Sequence, residues 1–543
     1  EPIAGSGGFL DLVHAFIAEL KRSETWPEDL EQACAARGAG RRDREFARVY
    51  AEYQEVLLKH QLFDAEGKFW WAREKLRQGE WGAFGSLDLV VVDGFDDFTQ
   101  TQYEILGLLA SQASRMVVSL PLEPTPVRVE LFAKTRVVCE QLAQQATVTP
   151  ATIDSRSAAF APGWSGRQLT SNPAEATRPA FQQIARHLFG NTRRLDRAAQ
   201  AEEVEIVAVA GQRGEVQWLG ARIKRLLLEG IASGDIVVAF RDPGEYADLI
   251  EQVFPAAGIP VCVDFAAPLA QSPVVRAMLQ VLQLELADWE FPAIRAVVDS
   301  PFFQPDWPER AGIRTALATL RRLQLGSDRR RILEQIGRDA RQAKDPTHRA
   351  ESAAALALLS RLDQTLAVAR QPRSLSSWAD VLGALVADLG LLSSRDRWPD
   401  DSSHWQTLMS ALFAAGRVEQ YTGGAARLLD VTEFVRELTD LVQHHSLSAN
   451  RREAGCVRVL PASEIRNLEI PFLFVAGLSE QSFPRRRADD CLYGELERRQ
   501  LNEHGLALAH QAVRTQEEML LFYRVVTRAR RRLILSYPAV SPD

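Results

Sequence analysis

The sequence predicts an α/β protein of parallel sheets interrupted by long helical stretches, and three observations carry that prediction. Short runs rich in Val, Ile and Phe, among them "LDLVVVDGF" (87–95), "DIVVAFRD" (235–242) and "PFLFVAGL" (471–478), alternate with helical segments. The runs are apolar on consecutive residues, the mark of strands covered on both faces by crossover helices. From about residue 271 to 450 the strand runs stop, and helical periodicity continues without a detectable internal repeat.

A chain of 543 residues is too long for a single core, so three or four domains are expected. Residues 1–84 read as helical. In "FLDLVHAFIAELKR", Phe9, Val13, Phe16, Ile17 and Leu20 share one helical face, which must pack on something. Phe69, Trp70 and Trp71 are expected to join a core instead of forming a base-stacking platform. Residues 85–121 give strand, helix and strand in "LDLVVVDGF", "TQTQYEILGLLASQA" and "RMVVSLP". Asp93 falls at the carboxyl end of the first strand, where open parallel sheets place their ligands. Residues 122–200, rich in Pro, Thr, Ala and Ser, read as a connector. A second α/β unit occupies 201–270, with strands in "VEIVAVA", "DIVVAFRD" and "GIPVCVD". It resumes over 451–543 with "VRVLPASEI", "PFLFVAGL" and "RRLILSYP". The helical stretch 271–450 is therefore read as an insertion in that unit.

Composition narrows the function. With 46% hydrophobic and 25% charged residues the chain reads as globular. No run approaches the roughly 18 apolar residues that cross a bilayer, and no leader pattern opens the chain, so a cytoplasmic location without a membrane partner is expected. The net charge of −7 argues against a uniformly basic nucleic-acid binder while leaving room for a local basic groove. Most of the 64 basic residues are arginines, clustered at "RRLQLGSDRRR" (321–331), "PRRR" (484–487) and "RARRR" (528–532). Composition alone reads these as solvated helix faces, with phosphate contact as the alternative. Cys34, Cys139, Cys262, Cys456 and Cys491 lack the spacing of a metal or redox site and read as buried free thiols. His444 and His445 would point about 100° apart on a helix and read as a surface pair. The chain opens on Glu1 and stops at "SYPAVSPD", which reads as an internal piece of a longer polypeptide.

The order of two α/β units, each interrupted by helical material, resembles the UvrD-like superfamily 1 DNA helicases. The resemblance implies two RecA-like domains of the P-loop NTPase type, with ATP between them and DNA across their tops. On that reading residues 1–84 are a 1B-like helical insertion and 85–121 the remainder of a 1A-like domain. Residues 201–270 and 451–543 are a 2A-like domain, split by a 2B-like helical insertion at 271–450.

Four motifs carry the resemblance. "EEMLLFYRVVTRARRRLILSYP" (517–538) is similar to the family's last motif, which implies that Arg528 reaches the γ-phosphate as an arginine finger. "VRVLPASEIRNLEIPFLFVAGLSEQSFP" (457–484) is similar to the segment that usually reads T-x-H-x-x-K-G-L-E-F. There Glu469 matches the residue that holds the nucleotide ribose. Pro461, Ser463, Arg466 and Asn467 replace the usual Thr, His, Lys and Gly, and of these Ser463 and Arg466 are the DNA-binding candidates. "DIVVAFRDPGEYADLIEQVFPAAGIPVCVD" (235–264) looks like the fourth motif and implies that Arg241 faces the phosphates. In "VDGFDDFTQ" the family reads D-E-F-Q-D, which makes Asp93 the magnesium ligand. Gly94 stands where the family keeps a glutamate, and a missing general base costs about 10² to 10⁴ in rate. Asp96 is the candidate substitute.

One branch of the family matches further: the B subunits of AddAB-type (RexAB) helicase-nucleases. The shared wording is "VDGF-DF", a "GIP-x-x-x-D" turn followed by "PLAQSPVVRAMLQVL" (268–282), and the "GL-E-FP" turn. This implies a degenerate motor that guides single-stranded DNA in double-strand break repair, in a heterodimer with an AddA-like motor and nuclease subunit. ATP and magnesium are the implied cofactors, at an incomplete site, since no G-x-x-x-x-G-K-[ST] occurs in the sequence. An iron-sulfur cluster is implied only for a nuclease domain outside this stretch. The alternative is an active 3′ to 5′ helicase that uses Asp93, Arg241, Glu469 and Arg528.

Overall fold

The computed structural model describes residues 7–38, 40–123, 127–145, 179–190, 201–265, 268–393, 400–421, 427–446, 455–465, 468–480, 482–485 and 491–540. The chain forms two compact units, one of residues 1–265 with 450–543 and the other of residues 266–449.

The first unit opens with helices α1 (Gly7–Arg22), α2 (Pro27–Ala36), α3 (Arg41–Lys59) and α4 (Ala65–Arg77). The apolar stripe of α1 buries Val13, Phe16, Ile17 and Leu20, and its partners include Tyr50 of α3 and the distant Tyr493 and Leu501. Lys21 is buried beside Trp70 and bonds Asp64 at 2.7 Å. The expectation that three consecutive aromatics enter a core holds for Trp70 alone, because Phe69 and Trp71 are exposed. Successive helical side chains diverge by about 100°, so a single helix face admits one of the three.

Next come β1 (Val90–Val92), α5 (Gln100–Gln112), β2 (Met116–Val118) and α6 (Ala133–Gln145). β1 and β2 pair in parallel, with Val92 packed against Tyr103 and Leu106 of α5 and Val138 of α6. A short helix, α7 (Pro179–His187), precedes the main sheet.

The main sheet contains β3 (Val204–Val209), β4 (Ile236–Phe240) and β5 (Val261–Val263) with crossover helices α8 (Gly211–Leu228) and α9 (Ala247–Ala256) between them. After the second unit it gains β6 (Val457–Pro461), β7 (Ile470–Ala476) and, beyond α10 (Glu495–Glu503) and α11 (Gln511–Val526), the strand β8 (Ala529–Pro538). The order is β3-β8-β7-β4-β6-β5, with every pairing parallel. Alternate residues of β4 enter opposite cores. Ile236, Val238 and Phe240 meet α8 and α9, whereas Val237 and Ala239 lie on the side of α7 and α11. An uninterrupted apolar run is the sequence such a strand needs. This is the α/β fold the sequence predicts.

Glu215, fully buried in the first turns of α8, ties the carboxyl ends together. Its carboxylate accepts from Gly477 N at 2.9 Å, Ser536 Oγ at 2.5 Å and the Tyr246 hydroxyl at 3.1 Å. Gly477 has φ +70°, a conformation that favours glycine. One reading of the cysteines is corrected: Cys262 and Cys456 form a disulfide. They lie on or beside the adjacent strands β5 and β6 with Cα atoms 5.9 Å apart, inside disulfide range, although 194 residues separate them in sequence. Cys34 is buried and free as expected, whereas Cys491 is free but exposed.

The second unit is helical throughout its described residues: α12 (Pro273–Leu286), α13 (Phe291–Val298), α14 (Ile313–Arg322), α15 (Arg329–Gln342), α16 (Pro346–Leu366), α17 (Leu375–Asp388), α18 (Asp401–Tyr421) and α19 (Val431–His444). Its core centres on Leu358, Leu362, Leu382 and Leu408, with Trp378 stacked on Phe434 at 4.3 Å. His444 and His445 are exposed, each with its ring Nδ1 by the carbonyl oxygen four residues before it.

Candidate functional site

The acidic motif begins where β1 ends. Asp93 is exposed and accepts a hydrogen bond from the Ser119 hydroxyl at the end of β2, the neighbouring parallel strand. Gly94 takes φ +83°, and Thr99 then caps α5, accepting from Gln102 N at 3.2 Å. The chain therefore turns through the left-handed region directly after Asp93. A glutamate at position 94 would be strained there by roughly 1–2 kcal/mol. The departure from the helicase pattern thus lies in the backbone as well as the side chain.

Asp96 and Asp97 point to partners far along the chain. Asp96 forms an ion pair with the buried Arg524 of α11. Asp97 and Glu517 share Lys134, with Asp97 at 2.8 Å. Burial works against the Lys134 charge, but its hydrogen bonds to Asp97 and Glu517 prevail and hold the ammonium above its usual range.

Arg241 follows β4 directly. Its guanidinium meets Glu518 of α11 in a forked pair, Nη2 to Oε1 at 2.6 Å and Nε to Oε2 at 2.9 Å. Glu518 also accepts from Arg485 N at 3.2 Å. The hydrogen bond to Glu518 outweighs burial and raises the Arg241 pKa further. A bidentate, charge-assisted pair of this kind fixes the guanidinium plane as well as its charge.

Arg528 sits between α11 and β8, its Nε donating to the Arg524 carbonyl at 3.2 Å. Burial, followed by the neighbouring Arg524 and Arg530 charges, lowers its pKa. Glu469, just before β7, pairs with Arg530 at 2.7 Å across the β7–β8 ladder. Ser463 lies half-exposed in a turn of 3₁₀ helix after β6, while Arg466 lies outside the described residues.

Most of the sequence-selected residues touch one segment, 511–538, but not at one place: Arg241 follows the carboxyl end of β4, whereas Glu469 and Arg528 stand at the amino ends of β7 and β8. That segment holds Arg528 and contacts Asp96, Arg241 and Glu469 through Arg524, Glu518 and Arg530. Asp93 is joined to Ser119. Glu517, Glu518, Arg524, Arg530 and Lys134 are partners in these contacts that sequence reasoning did not select as site residues. Four of them stand inside the quoted motif, but only the fold shows which distant charges they answer.

Together, the two parallel ladders, the acidic turn and the arginine-bearing α11–β8 segment define an α/β protein with helical insertions. Residues 2–164 match the family model described as ADDB, N-terminal. The chain is 28% identical, over all of its length, to the ATP-dependent helicase/deoxyribonuclease B subunit of Moorella thermoacetica, covering 48% of that protein. It is 27% identical to the Desulforudis audaxviator protein of the same name, over 99% of this chain and 48% of the relative. The Pelotomaculum thermopropionicum counterpart shows 26% identity over 98% and 48%. The chain is similar along its whole length to these B subunits, and it spans about half the length of these curated relatives.

Proposed function

We propose that this chain is the helicase-shaped, DNA-guiding part of an AddB-like subunit, a degenerate motor within an ATP-dependent helicase-nuclease for double-strand break repair. The observation that carries the reading is the forked Arg241–Glu518 pair. An arginine meant for a phosphate has to offer its planar fork to that phosphate, and here a carboxylate of the same chain takes it. Gly94 on its left-handed backbone supplies no general base, and the nearest replacement, Asp96, is engaged by Arg524. These residues do not fit an ATP-hydrolysing site, so no hydrolytic step is assigned to them.

On this reading the motor work and the partner nuclease belong to an AddA-like subunit, and single-stranded DNA is the cargo. The test is DNA-stimulated ATP hydrolysis by the intact subunit, alone and with Asp96→Ala. Turnover near background in both is expected. Turnover of a few per second that collapses with Asp96→Ala would instead favour the active 3′ to 5′ helicase.

A further inference from the structure

We propose that the exposed face of α14 and α15 in the helical unit binds the phosphate backbone of duplex DNA. The inference rests on the reading that the protein handles DNA, and adds a second contact of a different kind. α14 and α15 together carry eight arginines and only two carboxylates, Glu334 and Asp339, in a chain whose net charge is −7.

The eight arginines divide by environment. Arg322 and Arg329 turn toward their own unit and are neutralised there, at 2.6 Å from Asp339 and 2.7 Å from Asp363. Arg314, Arg321, Arg330, Arg331, Arg338 and Arg341 are exposed. Among these six, only Arg338 meets a carboxylate in the described residues, Glu334 at 3.5 Å with both side chains largely in solvent. Such a pair is worth on the order of 0–1 kcal/mol and leaves the guanidinium free to exchange.

Fold stability does not account for this pattern. α15 has arginine at each of its first three positions; its N-cap Asp328 accepts from Arg331 N at 3.1 Å, but the first turn itself holds no acid. Carboxylates are favoured at that end of a helix and cations are not. On α14 the buried face is Ala316, Leu317 and Leu320, so Arg314 and Arg321, seven residues apart, share the opposite side. Arg321 is further positioned over the Phe291 ring at 5.4 Å.

The class of polyanion follows from what the face lacks. Proteins that hold single strands combine cations with aromatic rings on which bases stack. No large hydrophobic side chain is exposed among the described residues of α14 and α15. Charge without a stacking surface suits a polyanion whose bases are already paired. Arg330 and Arg341 lie about 16 Å apart along the helix axis. That exceeds the roughly 12 Å width of a major groove, so one helix can reach phosphates on both of its sides.

The test uses the intact subunit with Arg314→Gln, Arg321→Gln, Arg330→Gln and Arg331→Gln combined. The probes are a short blunt DNA duplex and an oligothymidine strand, each titrated across a salt series. Each lost phosphate contact removes about 0.9 from the slope of log affinity against log salt, so the duplex slope should fall by about 3.6. The oligothymidine slope should hold. A control with Arg41→Gln, Arg48→Gln, Arg295→Gln and Arg499→Gln changes net charge equally at exposed residues elsewhere and should leave the duplex slope in place. An unchanged duplex slope in the test variant, or an equal drop in the control, would overturn the proposal. Wild-type protein that binds only the single strand also overturns it while leaving the DNA-guiding reading intact. Wild-type protein that binds neither probe removes that reading as well.

Discussion

Arginine does two different jobs in two regions of this molecule. In the first unit Arg241, at the carboxyl end of β4, and Arg524, in the last turn of α11, each meet a carboxylate from a distant part of the chain. On α14 and α15 most of the exposed arginines meet none. The residue type is the same, and the placement of acids decides its role. A guanidinium closed by a carboxylate holds the fold, whereas an open one costs the fold little and remains available to something else.

Removing the fixed polar partners should cause the largest losses. Glu215→Ala leaves the Gly477 N–H and the Ser536 and Tyr246 hydroxyls without their acceptor, and should destabilise the main sheet by about 3 kcal/mol in urea unfolding. An unaltered midpoint would refute the view that Glu215 ties the strand ends. Glu518→Ala strands the partly buried Arg241 and should cost about 2 kcal/mol, with Glu518→Gln costing less because one hydrogen bond survives. If both variants unfold like the wild type, the contrast between closed and open arginines loses its energetic basis.

A pH series sharpens the same contrast. Burial opposes ionisation of Asp64, but Lys21, the Gly67 N–H and Tyr53 prevail and hold its carboxyl below the usual carboxylate range. A depressed folded pKa stabilises above the unfolded value and loses that contribution as pH falls through the folded one. The N-terminal helices should therefore weaken below about pH 4, and Asp64→Asn should flatten that acid limb. The smallest effect is expected at the open arginines. Arg330→Gln and Arg331→Gln should each shift stability by less than about 0.5 kcal/mol. A larger loss would mean that the face is structural after all.

Much of this fold was legible in the sequence because runs of consecutive Val, Ile and Phe can be strands only when both faces are covered. The uninterrupted apolar run in "DIVVAF" was enough to place β4. Other features depend on approach in three dimensions, which spacing does not encode. Arg241 and Glu518 are 277 residues apart, and Asp96 and Arg524 are 428 apart. The apolar stripe of α1 announced a need for cover but could not name Tyr493 and Leu501 as what supplies it. "KFWW" suggested three core aromatics, and helical geometry admitted one. Nor could Cys262 and Cys456 be matched until β5 and β6 lay side by side. At the acidic motif, the missing glutamate was visible at once, while the handedness of the backbone beneath it was not.

That backbone limits how the acidic turn could change. Because Gly94 adopts φ +83°, Gly94→Glu would restore the family's letter without restoring its geometry. The new carboxylate would start from a disfavoured conformation, and relaxing it would swing the turn that leads into Phe95, Asp96 and the cap of α5. Recovery of a proton-accepting group here is a matter of rebuilding a loop, and a single substitution reaches only the first step of that path.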